Sequence, residues 1–242
     1  MTYKVVKFHT SKGPGEGCYE VAFSGDDRCL QKLEVHSAVD FGGDALDYVE
    51  LFGIWYFLMS IEIAGQGRSA KNLKLVVSRG AIKRLLRESS SKAHLFSFTN
   101  ALRTQLFGLK DIEVEKACAW AASASVGASA CVRWDGLPPD YPEIENPVLG
   151  RVRVTHHAVE RYYDATNRAG RADQIFQRVC RILREADQEA RLPAHVLQHK
   201  NRTYAHANDA ARYLNTQSGW QMVILSPANE KPLLATVYQR NG

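Results

Sequence analysis

The sequence predicts an α/β domain followed by a smaller α+β domain with two helices packed on an antiparallel sheet. Three observations predict it. Strand-like and helix-like segments alternate through the first half, a proline-rich stretch interrupts the chain, and two amphipathic helical patterns followed by three strand patterns fill the rest. At 242 residues and 45% hydrophobic composition, the chain can bury a core in each of two modest domains. Five cysteines, Cys18, Cys29, Cys118, Cys131 and Cys180, are odd in number and lack any C-x-x-C spacing. Neither a disulfide framework nor a cysteine zinc site is therefore expected, and a reducing cytoplasm fits best. No basic region followed by an apolar stretch precedes the first strand pattern, so no secretory leader is expected. The most apolar window, Val49 to Ala64, carries Glu50 and Glu62 and is too short to cross a bilayer, so no membrane partner is expected.

The elements follow in order. Tyr3 to His9, Cys18 to Ser24 and Cys29 to His36 read as three successive strands, turned by Gly13-Pro14-Gly15-Glu16-Gly17 and Ser24-Gly25-Asp26-Asp27. Close turns of this kind make an antiparallel meander. A helix starting in Asp40 to Asp47 and running to about Ile63 is apolar around much of its circumference, as a core helix must be. Leu73 to Ser78 is a buried-type strand, Ala81 to Leu86 and Ala93 to Phe107 are helices, and Ile112 to Glu115 is a further strand. The later strands should lie parallel to the first. Gly136, Pro138, Pro139, Pro142 and Pro147 make a stretch too proline-rich for a helix or a central strand. The expected division is thus a domain over 1–135, a linker over 136–149 and a second domain over 150–242. In that domain Thr155 caps a helix from His156 to about Thr166, and a second helix runs from Ala172 to Ala186 with Arg178, Arg181 and Arg184 opposite its apolar face. Ala211 to Asn215, Trp220 to Leu225 and Leu233 to Gln239 are strands, the last two joined as a hairpin.

Over most of residues 3–120 the first domain resembles the RNase H-like fold. The turn Gly13-Pro14-Gly15-Glu16-Gly17-Cys18-Tyr19 is similar to that family's glycine-rich hairpin. The segment Asp47 to Ile54 is similar to its A-E-L-x-A-I helix, and Leu75 to Ile82 to its strand-to-helix segment. The resemblance implies several carboxylates gathered on two Mg²⁺ ions, with Glu50 as the catalytic glutamate. The carboxylate pattern departs from this. Phe8-His9-Thr10 occupies the first-strand aspartate position, Ser78 replaces the fourth-strand aspartate, and Ala121 to Ala130 contains no acid. The expectation is an inactive domain that recognises RNA or an RNA/DNA hybrid, with neither cofactor nor metal; a rearranged site of His9, Asp44, Asp47 and Glu50 is the alternative.

The second domain, from Val154-Thr155-His156-His157-Ala158-Val159-Glu160-Arg161-Tyr162 to Ala235-Thr236-Val237-Tyr238, resembles metal-independent, toxin-type bacterial ribonucleases of the barnase, EndoU, colicin and RelE-like fold. That resemblance implies endoribonuclease activity and a cognate inhibitor protein. His157 and Arg161 are four apart, which places them on one helical face, His157 as base or acid and Arg161 as phosphate clamp. Thr236 and Tyr238 alternate with Val237, so they share a strand face suited to phosphate or base. Arg168, Arg202 and Arg212 are candidate backbone contacts. Charge agrees in direction: of a net +5, the residues beyond Asp140 supply most, with twelve arginines against two lysines. A non-catalytic nucleic-acid-binding or partner-binding protein of a plasmid or mobile element is the competing reading. His195, His199 and His206 have zinc-like spacing without a clear fourth ligand. Ser89 to Lys92, with Lys83, Arg84 and Arg87, has the composition of a phosphate surface or of a solvated helix face.

Overall fold

Along Lys4–Lys12 (β1), buried Val6, Phe8 and Thr10 alternate with half-buried neighbours, the signature of a strand with one covered face. In Cys18–Ser24 (β2) Val21 and Phe23 are buried on this face, with Cys18 and Ala22 buried on the other, and the alternation returns in Leu30–His36 (β3), where Leu33 and Val35 are buried. The computed structural model describes residues 4–25, 30–60, 70–123, 129–166, 171–190 and 211–239, and the chain divides into two units, Met1–Pro139 and Asp140–Gly242.

In the first unit β1, β2 and β3 form the expected antiparallel meander. Leu73–Val77 (β4) runs parallel to β1, Ile112–Val114 (β5) runs parallel to β4, and Ser129–Arg133 (β6) runs parallel to β3. The strand order is β5-β4-β1-β2-β3-β6. Strand β6 was not foreseen, because its short, small-residue sequence carries little period-two contrast. The helices are Ala45–Trp55 (α1), Gly80–Leu86 (α2), Phe96–Gln105 (α3) and Ala119–Ser123 (α4). The core helix gives way at Tyr56 to a single wide turn, Tyr56–Ser60, and the expected end at Ile63 lies outside the described residues. Helix α1 lies so close to β2 that a Cβ on Gly53 would sit 2.6 Å from a Val21 methyl. Phe23 stacks on Phe57 at 4.8 Å, and Trp134 stacks on Phe52 and Phe41 at 4.6 and 5.0 Å, closing this core at its C-terminal end. The opposite sheet face is polar and laced by Lys7–Glu115, Lys32–Glu20 and Lys74–Glu113 ion pairs.

The second unit holds Glu143–Asn146 (β7), Gly150–Val154 (β8), His156–Ala165 (α5), Ile175–Glu185 (α6), Gln188–Glu189 (β9), Ala211–Asn215 (β10), Trp220–Leu225 (β11) and Leu233–Gln239 (β12). Its sheet order is β7-β8-β12-β11-β10-β9. It is mixed rather than antiparallel throughout, because β12 pairs with β8 in parallel. Part of the stretch expected as a linker is a strand: Pro142 and Pro147 flank β7 without entering it, and β7 is an edge strand. Asn146, 2% exposed, fastens this hairpin. Its amide donates to the Leu183 and Ala186 carbonyls at 2.7 and 2.9 Å, and its Oδ1 accepts from the Val148 and Leu149 amides at 3.0 and 2.9 Å. Helices α5 and α6 pack on one face of the sheet through Ala158, Val159, Tyr162, Ile175, Val179 and Leu183, all buried. Thr155 caps α5 as expected, its Oγ1 accepting from the Ala158 amide at 3.1 Å. Among the described residues, no helix is long and apolar enough to cross a membrane.

Candidate functional site

Where β4 stops, a cleft begins. The last parallel pair is Lys7 with Val76, whereas β1 continues to Lys12 against β2 alone. The space beside the outer half of β1, beyond the C-terminal end of β4, is a cleft of about 460 Å³. Ligand sites at this edge of an α/β sheet follow from topology, since the chain diverges there and leaves room above the strand ends.

The lining carries three cationic side chains, Arg79, Lys92 and Lys116, together with His9, Thr10 and Asp47. The turn from β4 into α2 supplies Arg79, and α1 supplies Asp47. Arg79 Nε donates to Asp47 Oδ1 at 2.9 Å, and Lys92 Nζ donates to Asp47 Oδ2 at 2.5 Å and to Asp44 Oδ1 at 2.6 Å. Hydrogen bonds from Lys92 and then His94 hold the Asp44 carboxyl below its ordinary value, and the same carboxylates raise Lys92 above its own. Burial, followed by repulsion from Arg79, lowers His9. Asp47 and Asp44 together offset Arg79 and Lys92, so the cationic charge left over in the lining is that of Lys116. His9 and Thr10, adjacent on β1 and so directed to opposite sheet faces, each carry a buried polar atom, Nδ1 and Oγ1, without a hydrogen-bond partner among the described residues. Buried polar atoms without partners are rare, and a ligand is one way to satisfy them.

Glu50, at the position that the RNase H-like resemblance gives to the catalytic glutamate, is fully buried. The Ser78 amide donates to its Oε1 at 2.7 Å and the Ser78 hydroxyl to its Oε2 at 2.5 Å. Burial outweighs these bonds and pushes its carboxyl up to about 7. Two Mg²⁺ ions need several ionised, accessible oxygens, and these residues do not fit that requirement: Glu50 is sealed, Asp47 is bound by two cations, and Ser78 offers a hydroxyl. Of the rearranged set His9, Asp44, Asp47 and Glu50, only Asp44 and Asp47 share a partner, and it is a lysine.

The residues expected to cut RNA do not converge. His157 and Arg161 lie on the outer side of α5, away from buried Ala158, Val159 and Tyr162, and the His157 side chain is 64% exposed beside Glu160. Tyr162 meets Trp220 at 4.5 Å, so α5 covers the sheet face that carries Trp220, Met222 and Val237. Thr236 and Tyr238 flank Val237 and point to the other face, where Tyr238 Oη donates to Gln221 Oε1. A sheet therefore separates the helical pair from the strand pair. Arg212 is bound bidentately by Glu189, both contacts 2.8 Å, which occupies the guanidinium expected to face a phosphate. Arg168, Arg202, His195, His199 and His206 lie outside the described residues.

Arg79 and Lys116 were absent from the site expected on sequence, and His9, Thr10 and Lys92 entered it only as fragments of other patterns. Their common signal was the end of β4, where Ser78-Arg79-Gly80 stands at a strand-to-helix turn. The chain matches no family model, no curated protein and no solved structure, so the geometry of the β1–β4 cleft is what bears on function.

Proposed function

We infer that the chain binds the phosphate backbone of nucleic acid at the β1–β4 cleft, on a domain of RNase H-like type that grips without metal-dependent cleavage. The observation that carries this reading is a lining that holds Arg79, Lys92 and Lys116, the first two offset by Asp47 and Asp44, beside His9 and Thr10, each with an unsatisfied buried polar atom. Guanidinium and ammonium groups with a hydroxyl donor suit phosphate oxygens, whereas Mg²⁺ would demand several free carboxylates, and Asp47 in this lining is held by Arg79 and Lys92. The strand order β5-β4-β1-β2-β3, with a meander followed by parallel strands, is similar to the RNase H-like arrangement that the sequence suggested and supports the same placement. An endoribonuclease toxin finds no support in the separated His157, Arg161, Thr236 and Tyr238.

Fluorescence anisotropy with a labelled RNA/DNA hybrid and a single-stranded RNA tests this. Arg79→Ala combined with Lys116→Gln should weaken binding by roughly tenfold or more, with circular dichroism unchanged. Equal affinity in the folded double variant, or no salt-sensitive binding by the unaltered chain, overturns the proposal.

A further inference from the structure

The sheet face opposite α1 carries a second cluster. Cys18 opens β2 and pairs with His36 at the end of β3, and Glu34 precedes His36 by two residues. Residues paired across antiparallel strands share a face, as do residues two apart on one strand, so a thiol, an imidazole and a carboxylate are held together by sheet register alone. Their donor atoms all lie within 4.8 Å of one another. His36 Nε2 is 2.5 Å from Glu34 Oε1, and Cys18 Sγ donates to the same oxygen at 3.8 Å. One carboxylate oxygen thus bridges the two other potential ligands.

The backbone around the thiol is fitted to it. The Gly13 amide donates to the Cys18 carbonyl at 2.9 Å, and a Cβ at Gly13 would stand 2.5 Å from Cys18 Sγ. Any residue larger than glycine would crowd the sulfur, which is itself buried. Glu34 and His36 are about half exposed, at 43% and 42%, leaving an approach from solvent.

We propose that Cys18, Glu34 and His36 form a binding site for one Zn²⁺ ion, with the fourth coordination position open to water. Donors around tetrahedral zinc sit about 3.5 Å apart, so a small rotation of the Glu34 carboxylate away from His36 converts the observed contacts into a ligand set. Thiolate and imidazole select zinc or a similarly soft ion over Mg²⁺ and Ca²⁺, which prefer all-oxygen shells. On binding, the Cys18 thiol gives up its proton to solvent, the sulfur forms the bond to zinc, and neutral His36 binds through Nε2. Burial raises the thiol's affinity for its proton, so the metal-free site holds Cys18 as a thiol. The three ligands come from paired strands inside a six-stranded sheet and are ordered before the ion arrives. This site is independent of the β1–β4 cleft and of the nucleic-acid reading.

Cobalt titration of the full chain, after chelator treatment, tests it. One Co²⁺ per chain should bind with a thiolate-to-cobalt charge-transfer band in the near ultraviolet, and added Zn²⁺ should displace it. Cys18→Ser should abolish the band. His36→Gln and Glu34→Gln, both at half-exposed positions, should keep the native circular dichroism and weaken Zn²⁺ by about tenfold or more. Absence of the band in the folded chain overturns the proposal, as does a band that persists in Cys18→Ser. Unchanged Zn²⁺ affinity in folded His36→Gln also overturns it, since the ion would then be held elsewhere, such as at His195, His199 and His206.

Discussion

Glu50 shows how burial can change what a residue does. Its carboxyl would titrate near 4.5 in the unfolded chain and is pushed up to about 7 in the folded one, chiefly by desolvation. Between those values the folded state binds more protons than the unfolded state, so its advantage is full below about 4.5 and is lost as pH rises through 7. The loss is on the order of 3 kcal/mol, taking about 1.4 kcal/mol per pH unit. Urea denaturation between pH 4.5 and 8 should show that decline in the native chain and a flatter profile in Glu50→Gln; parallel profiles would contradict the assignment. The same sealed carboxylate makes a second prediction. Calorimetric titration with Mg²⁺ should show no stoichiometric micromolar binding, and a saturating isotherm abolished by Glu50→Gln would restore the metal-dependent reading that the sequence resemblance implied.

At the scale of elements, one side chain decides whether a proline-flanked segment is a strand or a tether. Asn146 satisfies two carbonyls at the end of α6 and two amides in the β7–β8 turn. Such an orphaned helix end must find donors somewhere, and a buried amide supplies both. Asn146→Ala should lower stability by about 2–4 kcal/mol, because several buried groups lose partners at once. Chemical denaturation would measure it, and a cost below about 0.5 kcal/mol, the scale of an ordinary surface substitution, would show that the turn is held by other means. Elements with strong periodicity were legible beforehand: β1, β2, α5, α6, β10, β11 and β12 stand close to their expected bounds. Strands β6, β7 and β9 were not, since two to five residues carry too little contrast to reveal a period.

For the molecule as a whole, the arginine-rich composition beyond Asp140 pointed to a nucleic-acid surface there, while the structure gathers Arg79, Lys92 and Lys116 in a cleft of the other unit. Arginine count alone does not report available charge, because Arg212 is neutralised by Glu189 and Arg153 by Glu230. With Arg79 and Lys92 offset by Asp47 and Asp44, backbone binding through Lys116 should release about one counterion, so log affinity for duplex should fall with log salt at a slope of magnitude about 1. Lys116→Gln should reduce that magnitude by about 1. A salt-independent affinity in anisotropy titrations would place binding outside this cleft.

The sequence by itself determined the two-part division, the meander, the parallel strands that follow it and the faces of the long amphipathic helices, because period and turn chemistry are local properties that short windows carry. It also showed that carboxylates were missing. What only the tertiary structure decided was which polar groups meet. A cleft exists because β4 ends before β1, a bulge-bearing strand turns Thr236 and Tyr238 away from α5, and sheet register sets Cys18 against His36. Each of these depends on where strands end and how they pair, which is fixed by contacts between residues far apart in the chain.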